Sequence, residues 1–343
     1  MTLLLSNDDV RAVLSMRACI DALESAFRDY ADGAAVNRPR SHTYTDLGAG
    51  RHYLFKTMDG SLPGAGVHAL RLSSDLTWEH DGRRDKLPAA PGERFVGLVL
   101  LFDLATLVPL AIVHDGELQR IRVGATSALA ADRLARPDAR VAGVIGAGWQ
   151  AEMQIAGLRA VRELEEIRVY APTRSRLVTL CHKVGAVPVD SAREAIAGAD
   201  VVALATNAHE PVLDGGWLEP GQHVGSVQGH ELDEETLRRA ALVVVRSREQ
   251  ATFHYAPGHA PREARDHKRL DADRVAELGE VVAGRAGRRA PDEITLFTGG
   301  STGGSSGLGI QFAAVADAVY RAAAERGLGR DLPTEWFTQK EKP

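Results

Sequence analysis

The residues Gly146-Ala147-Gly148-Trp149-Gln150-Ala151 follow a short apolar run, Val141 to Ile145. They open a helical pattern carrying Met153, Ile155, Ala156, Leu158, Ala160 and Val161. Between a strand and a helix, the spacing G-x-G-x-x-G/A has a physical meaning. The first glycine permits a tight turn, the second lets the backbone approach a pyrophosphate, and a small third residue lets the helix pack on the strand. Backbone N–H groups at the helix start then face an anion, favoured by the unpaired donors and by the helix dipole. A second strand pattern, Ile167 to Tyr170, completes a βαβ unit. The stretch therefore predicts a dinucleotide site at Gly146, Gly148, Trp149 and Gln150. Its rival is a tight turn whose glycines serve packing alone.

The end of the second strand bears on which dinucleotide. An NAD site usually places an acidic residue about 20 residues beyond the glycines, to accept from the ribose hydroxyls. Here Ala171-Pro172-Thr173-Arg174-Ser175 occupies that place. A guanidinium binds a 2′-phosphate bidentately and two hydroxyls can donate to it, whereas a carboxylate repels it. Thr173, Arg174 and Ser175 thus favour NADP(H) over NAD(H). The same residues also suit a helix start, with Thr173 as N-cap and Arg174 and Arg176 as solvated charges.

These residues need a scaffold. Strand-like runs at Val187 to Val189, Val201 to Leu204, His223 to Val227 and Leu242 to Val245 alternate with helical patterns at Ser191 to Gly198 and Glu234 to Ala241. That alternation predicts an α/β domain, a doubly wound parallel Rossmann sheet over 136–309, with ligands bound beyond the carboxyl ends of its strands. Thr206, Asn207, Ser226, Val227 and Gln228 lie at two such ends.

The preceding 135 residues read as a second, α+β domain. Ser6 and Asp9 cap a helical region running to Gly33, and Asn37 to Thr45 alternates as an edge strand would. Strand runs follow at His52 to Lys56 and Val67 to Ser73. Phe95 to Leu104, almost wholly apolar, predicts a strand buried on both faces, paired with Pro109 to Val113. Arg120 to Ser127 opens an Ala/Leu-rich helix ending near Leu134.

Toward the carboxyl end, His254 to Lys268 reads as a long surface loop, Arg274 to Ala286 as helical, and Ile294 to Phe297 as a final strand. Thr298 to Gly309 is a glycine-rich turn whose N–H groups face a ligand, or a flexible linker. The helix at Ile310 to Ala324 comes after the sheet ends, so 310–343 is expected to return to the first domain. His254, His259 and His267 have no regular ligand spacing, and no metal site is expected.

With 343 residues, 44% hydrophobic and 25% charged, and a net charge of −5, the chain has no overall basic field for nucleic acid or a membrane surface. Its two cysteines, Cys19 and Cys181, suit a disulfide-free cytoplasmic protein. The start lacks a basic n-region, and no apolar run reaches membrane length.

Several blocks together resemble the ornithine cyclodeaminase/mu-crystallin family. They are Leu3 to Val10, Pro39 to Tyr44, Gly97 to Val113, Ile121 to Ala139, Gly146 to Ala151, Glu210 to Val227, and Ile294 to Phe297 with the terminal helix. The resemblance implies an N-terminal substrate and dimerisation domain completed by the C-terminal helix, a Rossmann domain, and a homodimer. It spans cyclodeaminases, alanine dehydrogenase, ketimine and cyclic imine reductases, and non-enzymatic binders. It places Arg40 and Arg122 on the family's two carboxylate-binding arginines, with Arg38 offering the same group two residues earlier.

The chain also departs from the family. Arg71 stands where cyclodeaminases carry a lysine, and a guanidinium cannot take a base role. Lys56 is the nearby replacement. The loop Ser226 to Glu231 holds no aspartate before Asp233, and cyclodeamination needs that carboxylate. The expected activity is therefore NADPH-dependent reduction of α-imino or cyclic imino acids, or reversible reductive amination of α-keto acids. Arg40 and Arg122 hold a small carboxylate-bearing substrate, and Lys56, with Arg71 or His68, supplies the proton. The alternatives are an NAD-dependent cyclodeaminase of the ornithine or lysine type and a non-catalytic binder of NADPH and a small acid.

Overall fold

A computed structural model describes residues 1–80, 83–248, 252–260, 262–264, 272–298 and 307–341. The glycine-rich stretch read from the sequence lies, over 299–306, outside the described residues, as does His267. By its internal contacts the chain forms two compact units, one drawn from 1–119, 249–265 and 307–343, the other from 120–248 and 266–306.

The first unit is built on one mixed sheet. Its order is Arg262–Ala264, Thr252–Tyr255, Arg40–Gly48, Arg51–Leu62, Val67–His80, Val96–Asp103, Pro109–His114, Thr2–Leu5 and Arg330–Leu332, with Val36–Asn37 and Arg83–Leu87 pairing from the side. The helix Gly309–Glu325 packs on Arg51–Leu62 and Val67–His80, and Met16–Ala31 packs on that helix. The approach is close: a side chain on Gly309 would overlap the carbonyl of Asp59, and the Gly309 N–H donates to Asn37 Oδ1 at 2.6 Å.

Three expectations change here. Arg40–Gly48 is not an edge, because Thr252–Tyr255 pairs parallel to it and Arg262–Ala264 pairs with that strand in turn. The surface loop expected over His254 to Lys268 holds strand residues within its described part, because strands this short, rich in His, Arg and Pro, have no alternating pattern. Their stability comes from main-chain bonds to a distant strand. The run Phe95 to Leu104 is buried on one face only, with Gly97, Val99 and Leu101 inside and Val96, Leu98 and Leu100 on the open side.

The second unit carries a wholly parallel sheet in the order Val187–Pro188, Glu166–Tyr170, Val141–Ile145, Val201–Leu204, His223–Ser226, Thr295–Thr298, Leu242–Val245, Val275–Glu277. This is the doubly wound α/β arrangement expected, and the strand order reverses beside Val141–Ile145. Thr295–Thr298 inserts between two earlier strands, and the stretch read as helical from Arg274 begins with the strand Val275–Glu277 before the helix Leu278–Val282. The Ala/Leu-rich helix starts at Asp115, not Arg120, and runs to Leu134. From Arg120 onward it belongs with the second unit, so the division falls at 119/120 where the sequence suggested 135/136. Gly124 and Gly157 explain why: a Cβ on Gly157 would lie 2.9 Å from Ala128 Cβ and from the Gly124 carbonyl oxygen. The two helices cross nearly backbone to backbone. Among the described residues no helix is long and apolar enough to cross a membrane.

Candidate active site

In the second unit, the fingerprint turns as its glycines require. Gly146 has φ 122°, a region that L side chains avoid, and its N–H donates to the Tyr170 carbonyl at 2.8 Å. A side chain there would overlap the Ala205 carbonyl. Gly148 differs: it has an ordinary φ of −91°, caps the helix Trp149–Val161 without a side-chain bond, and a Cβ on it would meet nothing within 4 Å. Packing does not demand a glycine at 148, whereas close approach of a diphosphate does. Trp149 is exposed, and Gln150 Oε1 has no partner among the described residues. These features fit a dinucleotide whose pyrophosphate lies on the helix start.

The strand ends beside it are tied by a residue that sequence reasoning missed. The Glu231 carboxylate, fully buried, accepts from the Thr206 N–H (2.6 Å) and hydroxyl (2.8 Å) through one oxygen. Through the other it accepts from the Ser226 hydroxyl and the Gln228 N–H, both at 2.9 Å. Gln228 Nε2 returns to the Thr206 carbonyl at 2.9 Å. Thr206, Ser226 and Gln228 thus spend much of their polarity on one another, Val227 is buried, and Asn207 is exposed. The bonds of Glu231 to Ser226 and Gln228 are local, within five residues, but the tie to Thr206 spans 25 and carried no sequence signal.

At the end of Glu166–Tyr170 there is no carboxylate. Thr173 occupies the N-cap of Arg174–Val184 but makes no cap bond, so its hydroxyl is not used in the way the helix-start reading supposed. Arg174 is exposed and pairs with Asp190 at 3.1 Å. Arg122 lies in the same unit and is 1% exposed.

The first unit gathers the other expected residues on one sheet face. Residues directly opposite across strands share a face. Register aligns Thr252, Arg40, Met58, Arg71 and Val99 in one row, and His254, His42, Lys56, Ser73 and Gly97 in the next. Arg40, Lys56 and Arg71 therefore face the same side. Arg38 does not compete for this place: it is exposed and bonded to Asp59 at 2.7 Å. His68 lies on the opposite face, with its Nδ1 2.8 Å from the Ser61 hydroxyl, and so does not serve beside Lys56.

Acids that the sequence did not single out hold these cations. Asp115 binds Arg71 through Nε (2.9 Å) and an Nη (2.6 Å), and Gln119 accepts at 2.8 Å. Gly97 makes room, since a Cβ there would lie 2.9 Å from the Asp115 carboxylate. Lys56 Nζ stands 3.4 Å from Asp75, whose side chain is 1% exposed. Burial pushes the Lys56 amine down to about 8; Asp75 opposes the shift, and Lys86, Arg71 and Arg40 add to it. Burial, helped by Arg40, Lys56, His254 and Arg71, drives His42 down to about 2, so its ring is neutral. His42 Nε2 has no partner among the described residues. No group of three or more His, Cys, Asp or Glu placed to hold a metal occurs among them.

A reversing parallel sheet, a glycine turn at its switch point and a helix start facing the crevice define a Rossmann-type dinucleotide fold. The profile of the ornithine cyclodeaminase/mu-crystallin family matches residues 1–327, and the chain belongs to that family. It is 32% identical to the alanine dehydrogenase of Archaeoglobus fulgidus over 96% of this chain and 98% of that one. It is 34% identical to a Delta(1)-pyrroline-2-carboxylate reductase of Bacillus cereus over 69% of this chain and 74% of the other. Among solved structures, Thermococcus litoralis Delta(1)-pyrroline-2-carboxylate reductase in complex with NADH and L-proline aligns with a TM-score of 0.77, 30% identity, and 96% and 100% coverage of this chain and that one.

Proposed function

We propose that the protein is a nicotinamide-dependent oxidoreductase acting at carbon–nitrogen bonds. It reduces α-imino acids, cyclic ones included, or reductively aminates α-keto acids, and in reverse acts as an amino-acid dehydrogenase. The observation that carries this reading is the polar face of the first unit's sheet, where an amine titrating near 8 stands among fixed cations. Its relatives among imine reductases and alanine dehydrogenases support the same chemistry.

The nicotinamide cofactor, bound at the glycine turn, supplies or accepts the hydride. The residues do the rest. Arg40 holds the substrate carboxylate, with Arg122 proposed as its second ligand from its place in the family's pattern. Arg71, fixed by Asp115, keeps the face cationic and cannot act as a base. Lys56 passes a proton from Nζ to the imine nitrogen as carbon gains the hydride, and recovers one from solvent; in reverse its neutral amine takes the proton.

For the cofactor we favour NADP(H) over NAD(H), supported by the missing acid after Tyr170 and by Thr173, Arg174 and Ser175 in its place. The pair Arg174–Asp190 is exposed on both sides, so exchanging it for a phosphate costs at most about 1 kcal/mol.

Two alternatives are less well supported. Cyclodeamination needs a free carboxylate after strand His223–Ser226, but Glu231 is consumed by four donors and Asp233 caps the helix Glu234–Arg239. A purely binding role does not use the depressed Lys56.

The test is a panel of pyruvate with ammonia or methylamine, Delta(1)-pyrroline-2-carboxylate and Delta(1)-piperideine-2-carboxylate, watching NADPH or NADH absorbance. At least one mixture should oxidise the cofactor, and Lys56→Met should lower kcat by about 100-fold or more with cofactor affinity kept. Silence across the panel with cofactor measurably bound would establish the binder instead.

A further inference from the structure

The polar face contains a buried acid and a second lysine that the proposed reaction does not use. Asp75 lies on strand Val67–His80, and its carboxylate reaches two ammonium groups, Lys56 Nζ at 3.4 Å and Lys86 Nζ at 2.5 Å. The Ser73 hydroxyl donates to the same carboxylate at 3.0 Å. Lys86 comes from the flanking strand Arg83–Leu87, and its ammonium lies 4.9 Å from the centre of the Phe95 ring. Its side chain is 41% exposed against 1% for Asp75, so the arrangement runs from a solvated cation, through a dry carboxylate, to the amine on the sheet face.

We propose that Asp75 and Lys86 form a tuning pair for Lys56: the carboxylate holds the amine on the face, and the second ammonium, sharing that carboxylate, sets how readily the amine releases its proton. The proposal rests on the reading of Lys56 as proton donor and deepens it. Neither residue touches the reacting atoms; both are positioning residues.

The electrostatics give the pair opposite signs. An acid beside a lysine stabilises its charged form, and a neighbouring cation disfavours it. Other charged and titratable groups also face Lys56. Arg40 and the neutral His42 come from the adjacent strand, and His254 from the strand beyond it. Arg71, on the same strand as Asp75, is bound by Asp115 and Gln119. The covering helix Gly309–Glu325 offers the Phe312 ring to Arg71, while its Asp317 and Arg321 bond each other. Among the described residues, Lys86 pairs with the same carboxylate as Lys56. Removing Lys86 takes a competing ammonium off Asp75 and makes the Lys56 amine less acidic. Removing the charge of Asp75 makes it more acidic.

The experiment uses the intact enzyme and two readouts. The first is the pH dependence of Lys56 acetylation by trace acetic anhydride, followed by mass spectrometry, which needs no turnover. The second is the alkaline limb of kcat/KM for imine reduction with Delta(1)-pyrroline-2-carboxylate. In Lys86→Met both should move to higher pH by about half a unit or more, in Asp75→Asn both to lower pH, and Lys86→Arg should restore the native profile. Lys86 is partly exposed, so its variants keep the test sound if Asp75→Asn fails to fold. An acetylation profile unmoved in Lys86→Met overturns the proposal. A profile that moves while no imine is reduced supports the tuning pair and removes the proposed activity. One that moves while the turnover limb stays supports the pair and removes Lys56 as the donor.

Discussion

A lysine in water holds its proton to about pH 10.4; on the sheet face of this protein Lys56 releases it near 8, because burial removes the water that stabilises the charge and three further cations stand close. Asp75 pulls the other way, which leaves the amine charged at neutral pH yet able to give its proton up. Arg71 shows the opposite use of a cation. Two donors to Asp115 and one to Gln119 fix its guanidinium, so it shapes the local field without exchanging protons. Arg174 is different again, an exposed guanidinium whose partner Asp190 is itself in solvent. If Arg174 binds a 2′-phosphate, Arg174→Ala should weaken NADPH about tenfold or more, the worth of a charged hydrogen bond, and leave NADH within about twofold. Isothermal titration of the two cofactors measures this, and equal losses would refute the phosphate assignment.

The turn between Val141–Ile145 and Trp149–Val161 uses two glycines for different physical reasons. Gly146 is required by its own backbone and by the carbonyl of Ala205; Gly148 is required by neither. Gly146→Ala should lower folding stability by about 2 kcal/mol or more, since a positive φ and a steric overlap act together. Gly148→Val should leave thermal unfolding within about 2 °C yet weaken the dinucleotide about tenfold, by placing a side chain where the diphosphate comes close. A Gly148→Val protein that binds cofactor normally would mean the diphosphate lies elsewhere. Facing this turn's neighbour strands, Glu231 does for two loops what a ladder bond does for two strands, joining Thr206 to Ser226 and Gln228 through one dry carboxylate.

At the scale of the molecule, the first unit's sheet has a second face. Register sets Leu72 opposite Leu98, and Leu70 opposite Leu100, Ile112 and Leu4 in turn, and these side chains are only partly buried or exposed. A contiguous apolar face of this kind marks an interaction surface, and we propose a second copy of the chain as its partner, giving a homodimer. Introducing Leu70→Arg with Leu100→Arg would bury unpaired charge in that interface, weakening the dimer by about 100-fold or more. Light scattering across a dilution series reads this directly. A monomeric native chain would remove the proposal.

The nucleotide-binding half was legible in the sequence because its determinants are local: strand, glycine turn and helix are consecutive, and their spacing alone fixes a crevice. The family resemblance likewise needed only the order of blocks along the chain. The polar face of the first unit's sheet was not legible, and the strand Val67–His80 shows why. Its alternation is plain, but ordinary burial rules put Leu70, Leu72 and Leu76 inside and Arg71, Ser73, Asp75 and Thr77 outside, the reverse of what folds. Which face of a strand is covered depends on elements far away in sequence, here the terminal helix Gly309–Glu325. The pairings of Lys56 with Asp75, Arg71 with Asp115 and Thr206 with Glu231 join residues 19, 44 and 25 positions apart. A charge's partner is chosen by proximity in space, so sequence by itself determined which chemical groups the protein owns and the glycine turn between strand and helix. Tertiary structure alone decided which of those groups meet, which are dry, and hence which can release a proton.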